Sequence, residues 1–165
     1  MAQVILALGS NQGTAKENLD RAVAALSSVG TVLEVAPYIL SKPEGYSQQP
    51  DFVNTVLVLE TKLEPMPLLR ALKQLEKDLG RTPTFPNGPR VIDLDILFYE
   101  DKIVFEDADD YTLFIPHPRL HEREFVLKPL SYIRPDFIHP KFNEPIYRLY
   151  RKLIKKKGLP TCQIL

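Results

Sequence analysis

An apolar run at 91–99 carries two aspartates at its centre. The stretch 88–100 reads GPRVIDLDILFYE, with the length and the Ile, Leu, Val and aromatic content of a buried strand. Aspartate is depleted in strands and costly to bury without a partner. Successive strand side chains alternate faces, so Ile92, Leu94, Ile96 and Phe98 share one apolar side. Asp93 and Asp95 then point together to the other side, with Cα atoms about 6.6 Å apart. Two carboxylates converging from one face suit a hard cation such as Mg2+. Arg90 and the Gly88-Pro89 turn stand at the mouth of the strand, in position to hold an anion. The competing reading is a half-exposed strand with a solvated acidic face.

The rest of the chain bounds the choice. At 165 residues it is expected to form one domain, 1–165, with a proper core. Lys+Arg and Asp+Glu number 21 each, so the net charge is zero and the basic excess of a general nucleic-acid or anionic-membrane binder is missing. The single Cys162 cannot form an internal disulfide, which fits a reducing compartment, and it reads as a spare thiol near a loose end. No apolar run approaches a membrane span, and MAQVILALGS reads as a first strand rather than a leader. A cytoplasmic protein acting as a monomer, without nucleic-acid or membrane partners, is the expectation.

Residues 4–8 form a short apolar strand closed by Gly9-Ser10-Asn11. Thr14 and Glu17 make a capping-box pattern for a helix whose stripe is Leu19, Ala22, Val23 and Leu26, with Gly30 as its stop. A second strand is expected at 31–40, then a polar loop, SKPEGYSQQPD. The third strand, 52–61, places Phe52 and Asn54 side by side on one face. A ring offers a stacking surface and a primary amide offers a donor and an acceptor, a pair suited to a flat heteroaromatic ligand. An equally available reading packs Phe52 in the core and turns Asn54 to the preceding loop. Pro65 opens a second helix to Leu79 along Leu68, Leu69, Leu72 and Leu75, with Gly80 beyond it. Glu76 and Arg81 near its end make at least a surface ion pair. After the central strand come a short hairpin strand at 102–105, an acidic connection at 107–110, and the segment IPHPRLHEREFVLKPL, where His117, Arg119, Arg123 and Phe125 crowd together. A lone histidine is more often structural, and His121 and His139 are read that way. A final helix at 144–157 ends in three lysines that complement its dipole.

The order strand, helix, strand, strand, helix, strand is the split βαβ signature of a ferredoxin-like α+β fold. A mainly antiparallel sheet is expected, with both crossover helices on one face, an added hairpin and C-terminal helices. The other face is left open for Asp93, Asp95, Phe52 and Asn54. Two strand carboxylates with several loop arginines point to metal-assisted phosphoryl or nucleotidyl transfer, where positioning and charge stabilisation dominate. Arginine favours phosphate because its fork bonds two oxygens at once. No GxxxxGK[ST] or GxGxxG is present.

Four separated motifs in one order then carry a resemblance: Gly9-Ser10-Asn11, QPDFVN, GPRVIDLDI and PHPRLHEREFVL. From about Gly9 to Leu130 the chain resembles the hydroxymethyldihydropterin pyrophosphokinases of folate biosynthesis, which move a pyrophosphoryl group from ATP to hydroxymethyldihydropterin and release AMP. The resemblance implies that Asp93 and Asp95 hold two Mg2+ ions and orient the pterin hydroxymethyl oxygen. It implies that Phe52 and Phe125 sandwich the pterin, with Asn54 and the backbone of Ser41, Lys42, Pro43 and Glu44 on its edge. Arg90, His117 and Arg123 would bind the triphosphate, with Glu76 and Arg81 nearby and Ile96 lining the adenine site. Two features depart from the family pattern. Where a second arginine and a tryptophan are common, this chain has TPTFPN, with Pro83 and Asn87 near their places and no Trp at all. Phe52 stands where a Tyr is common. The rival readings are a palm-like nucleotidyltransferase, which predicts a basic groove, and a ferredoxin-like ligand-binding module, which leaves Asp93, Asp95, Arg90 and Arg123 without a reason.

Overall fold

A computed structural model describes residues 1–158 and 160–165. Five strands build the main sheet from the N-terminal part: β1 (Ala2–Ser10), β2 (Thr31–Val35), β3 (Ile39–Ser41), β4 (Phe52–Thr61) and β5 (Asp93–Tyr99). β1 lies between β4 and β5, and β2 and β3 both pair with the far edge of β4, every pairing antiparallel. Helices α1 (Ala15–Ala25) and α2 (Pro65–Asp78) are the crossovers, so the expected ferredoxin-like α+β core is present. The expected second strand is divided. The chain leaves the sheet around Pro37, whose ring cannot donate to a ladder, and returns as β3.

The stripes of α1 and α2 pack on one sheet face, as the alternation of Leu57, Leu59, Leu94 and Ile96 requires. Leu19, Leu68 and Leu72 are fully buried there against Leu6, Leu57 and Leu94. Each such leucine contributes about 2 kcal/mol of transfer free energy. Alternation fails at one point. The β1–β5 register slips between Ile5 and Leu6, so Leu97 is an extra residue and the face assignment flips beyond it. Phe98, expected beside Ile96, therefore lies with Leu97 in the core of the opposite face, and Tyr99 takes the helix side.

That opposite face is not open along its length. Helices α3 (Glu124–Ile133) and α4 (Ile146–Lys157) cover it, burying Val126, Leu127, Leu130, Ile146 and Leu149 against Ile5, Val56, Val58 and Phe98. An apolar helical stripe needs a surface to bury against, and this face supplies it. The end near Gly9, Asn54, Asp93 and Asp95 opens to a cavity. The hairpin comprises β6 (Val104–Asp107), two residues later than expected and of the same length, and its partner β7 (Thr112–Ile115).

Three local expectations change. The Thr14 side chain makes no cap hydrogen bond, so the capping box is not formed. Gly30 is required by close approach instead of a left-handed stop, since a Cβ there would lie 2.3 Å from the Glu60 carbonyl oxygen. Cys162 is not at a loose end. It is buried, and after it a short strand β8 (Gln163–Ile164) pairs with β3. None of the helices among the described residues is long and apolar enough to cross a membrane.

Candidate active site

Gly80, with φ of +100°, ends α2 in a left-handed turn. The Arg81 N–H bonds the Glu76 carbonyl at 2.9 Å and the Gly80 N–H bonds that of Lys77 at 3.0 Å, a Schellman closure. It delivers Arg81 back over Glu76 and against the start of β5. Glu76 is itself buried, 4% exposed, and every oxygen is engaged. Its Oε2 accepts the Leu94 N–H at 2.7 Å and Lys73 Nζ at 3.1 Å, and its Oε1 accepts Arg81 Nη1 at 2.8 Å. The same Arg81 nitrogen reaches Asp93 Oδ1 at 2.8 Å, Arg90 Nη1 lies 3.6 Å from Asp93 Oδ2, and Lys73 Nζ lies 3.8 Å from Asp95 Oδ1. Glu76 is thus a buried brace between α2 and β5, more than the surface pair its spacing suggests.

Asp93 and Asp95 lie on one face of β5, both open to a cavity. Their environments split their acidity. Burial pushes the Asp93 carboxyl up, but Lys73, Arg90 and Arg81 outweigh it and hold its pKa below the usual value. Burial and the adjacent Asp93 charge push Asp95 up to about 7. A carboxylate pair under this mutual repulsion is relieved by a cation. Among the described residues no group of three or more His, Cys, Asp or Glu stands ready to enclose a metal. Two carboxylates fit Mg2+ completed by phosphate oxygens and water, and do not fit an all-protein cage.

The GSN turn after β1 organises the loops. Asn11 exchanges backbone bonds with Arg90, accepting the Arg90 N–H on Oδ1 at 2.8 Å and donating its own N–H to the Arg90 carbonyl at 3.0 Å. Its Nδ2 donates to Gln49 Oε1 and the Pro50 carbonyl. Gln49 in turn donates to the Asn87 carbonyl at 2.7 Å, and the Tyr46 and Phe85 rings meet edge to face at 5.0 Å. The Pro-rich loop 81–89 is thereby held against loop 41–51. Gly88 is dictated by crowding: a Cβ would stand 2.7 Å from Thr84 Oγ1.

Above the carboxylates lies the cavity, about 700 Å³ with its open mouth included. Phe52 and Phe125 line it, Leu97 and Val126 contribute apolar surface, and Asn54 donates from Nδ2 to Ser41 Oγ at 2.5 Å. Gly9 makes room for this amide, because a Cβ at Gly9 would meet Asn54 Oδ1 at 2.8 Å. On the other wall Arg123 Nη2 is 3.1 Å from Glu44 Oε1, which Arg119 also reaches at 3.2 Å. The Nε atoms of Arg90 and Arg123 are buried with no hydrogen-bond partner among the described residues. Buried guanidinium donors left unmatched beside a cavity are costly unless an anion completes them.

Of the residues singled out from the sequence, Ser41, Lys42, Glu44, Phe52 and Asn54 line this cavity, together with Arg90, Asp93, Asp95, Arg123 and Phe125. Arg81 and Glu76 border a second groove with Lys73, Phe85 and Tyr111, and Arg90 joins the two. The Ile96 side chain is 4% exposed, in the core under α2 on the face opposite Asp95, and lines neither space. Pro43 lines a shallow cleft behind the cavity wall. His117 is neutral. Burial, with the Arg123 charge adding to it, lowers its pKa to about 4, and its Nδ1 accepts the Arg119 N–H. It is a neutral donor through Nε2, and adds no positive charge for phosphate. Sequence reasoning passed over Lys73, although its position three residues before Glu76 put it on the same helix face.

A family model for 7,8-dihydro-6-hydroxymethylpterin-pyrophosphokinase (HPPK) matches residues 5–135. The chain belongs to the HPPK family. An Aquifex aeolicus 2-amino-4-hydroxy-6-hydroxymethyldihydropteridine pyrophosphokinase is 38% identical over 165 residues, covering 100% of this chain and 99% of that protein. The folic acid synthesis protein fol1 of Schizosaccharomyces pombe is 42% identical over 150 residues, which are 90% of this chain but 20% of the relative. This HPPK-family chain spans about a fifth of the length of the S. pombe and Dictyostelium discoideum relatives. In fold it is similar to the crystal structure of Plasmodium falciparum HPPK-DHPS wild type with pteroate, with a TM-score of 0.81 at 16% identity over 94% of this chain and 45% of that one. Family membership gives no support to the palm-like nucleotidyltransferase and the non-catalytic module.

Proposed function

We propose that this chain transfers the pyrophosphoryl group of ATP to the hydroxymethyl oxygen of 6-hydroxymethyl-7,8-dihydropterin. The bond formed joins that oxygen to the β-phosphorus, the bond broken joins the β-phosphorus to the bridging oxygen of the α-phosphate, AMP leaves, and the hydroxyl proton passes to water. The observation that carries the reading is the meeting, in one cavity, of the Asp93/Asp95 pair, the buried unmatched Nε atoms of Arg90 and Arg123, and the rings of Phe52 and Phe125. The family and the Aquifex relative's name support it.

In this reading Asp93 and Asp95 would hold two Mg2+ ions, which would supply neutralisation of the phosphate charge. Phe52 and Phe125 stack the pterin, and Asn54, oriented by Ser41, reads its edge beside the backbone of Lys42, Pro43 and Glu44. Arg90 and Arg123 grip the polyphosphate, and the neutral His117 adds a hydrogen bond without competing for charge. Arg81 moves between Asp93 and the phosphates. Glu76 acts at one remove, through Arg81 and Lys73. Loops 41–51 and 81–89 close over the substrates and exclude water. Incubation with ATP, Mg2+ and hydroxymethyldihydropterin tests the proposal: AMP is the expected product. ADP as product, or no turnover with the pterin, overturns it.

A further inference from the structure

We infer that the C-terminal strand β8 is a positioning element of the pterin pocket, tying together its two walls; this rests on the pyrophosphokinase reading above. Residues 136–165 lie beyond the span that the family model matches. Nevertheless residues 161–165 lie against α3 and β3, two elements of the site. One attachment is to α3. Glu124 accepts the Thr161 N–H at 3.0 Å, the Thr161 hydroxyl at 2.9 Å and the Cys162 N–H at 3.0 Å, while Lys128 Nζ donates to the Cys162 carbonyl at 2.5 Å. Burial alone would push the Glu124 carboxyl up, but these hydrogen bonds hold its pKa below the usual range, so the clamp is ionised at neutral pH. Glu124 opens α3 between Arg123 and Phe125, both of which line the cavity.

The second attachment is to β3. Gln163 pairs with Leu40 and Ile164 with Ile39, and the Leu165 N–H bonds the Tyr38 carbonyl at 2.9 Å. The next residue of β3 is Ser41, whose hydroxyl accepts the Asn54 amide. β3 is only three residues long, and β4 alone holds its other edge. A strand so short leaves its end to fray unless both edges are paired. β8 therefore fixes Ser41 and Asn54 on one wall and Arg123 and Phe125 on the other, with Cys162 buried between them. Positioning within a fraction of an ångström is what such a support contributes to a stacked, edge-bonded ligand.

Three variants test this: Glu124→Gln, which sets an amide against donors, removal of residues 161–165, and Thr161→Ala, which deletes one bond of the clamp. Glu124→Gln and the shortened chain are expected to raise KM for hydroxymethyldihydropterin at least fivefold and, because Arg123 is loosened together with Phe125, to lower kcat, with KM for ATP within twofold of the unaltered protein. Faster amide exchange at 39–41 accompanies the change, and Thr161→Ala stays within twofold throughout. An unchanged pterin KM with exchange at 39–41 accelerated overturns the inference. So does a lower kcat with both KM values unchanged, the mark of a smaller folded fraction. Absence of AMP formation by the unaltered protein would instead overturn the reaction, and this inference with it.

Discussion

Replacing Glu76 by Gln preserves shape and removes one charge at the brace between α2 and β5. The carboxylate has donors on both oxygens: the Leu94 N–H and Lys73 on one, Arg81 on the other. A glutamine offers one acceptor, so whichever way its amide is turned an NH2 group faces a donor. Leaving a buried donor unmatched costs about 1–3 kcal/mol. Breaking a fully buried ion pair costs about 3–5 kcal/mol, but Arg81 keeps Asp93 at 2.8 Å and Lys73 keeps Asp95 at 3.8 Å, and both cations are about a quarter exposed. The net expectation is roughly 2–3 kcal/mol. At about 2–4 °C per kcal/mol for a chain of this size, Tm falls by about 4–12 °C. Calorimetry and urea unfolding at pH 8 without ligands measure it directly, since the ligand-free protein isolates the brace from any contact with substrate. A Tm within 1 °C of the parent refutes the reasoning. A normal Tm with a raised KM for ATP would make Glu76 a nucleotide contact instead.

Asp95→Asn should lower kcat by at least a hundredfold while changing Tm little or upward, because it removes the repulsion that raises the Asp95 pKa; steady-state AMP formation and a melting scan check both halves. Phe125→Ala is expected mainly to weaken pterin binding and Arg123→Ala mainly to slow transfer; equal effects on pterin affinity would count against that division. Burial, with the His121 and Lys141 charges adding to it, lowers the His139 pKa to about 4, so its contribution is full above about pH 6.5 and is lost as pH falls toward 4. That loss is roughly 2–3 kcal/mol. His139→Asn retains an acceptor for the Lys141 and Phe142 N–H groups, and the stability gap to the parent should narrow over that pH range; a constant gap in pH-dependent urea midpoints would contradict the assignment.

Much of this was legible because strand alternation and helical spacing are local properties. The period-two pattern of β4 and β5 identified the faces of Asn54, Asp93 and Asp95, and the stripes of α1 and α2 identified what covers the opposite side. The reading failed where a long-range contact overrides the local period. A one-residue bulge against β1 sent Phe98 to the second core. C-terminal helices were expected, but not that they would close most of the face reserved for the site. Ile96 was drawn into the core by the same alternation that exposes Asp95.

By itself, then, the sequence singled out the residues that meet in one cavity: paired aspartates on one strand, arginines at its mouth, rings and an amide beside it. Those choices are written in residue type and short spacing. Only the tertiary structure decided how they are held. Glu76 became a brace because a Schellman turn folds Arg81 over it, and Asn11 became a hub because it meets Arg90 across 79 residues of chain. Residues 161–165 came to lie behind the cavity because Glu124 and the edge of β3 accept and pair with them. Such partners are separated along the chain, and their pairing depends on burial that no local pattern records.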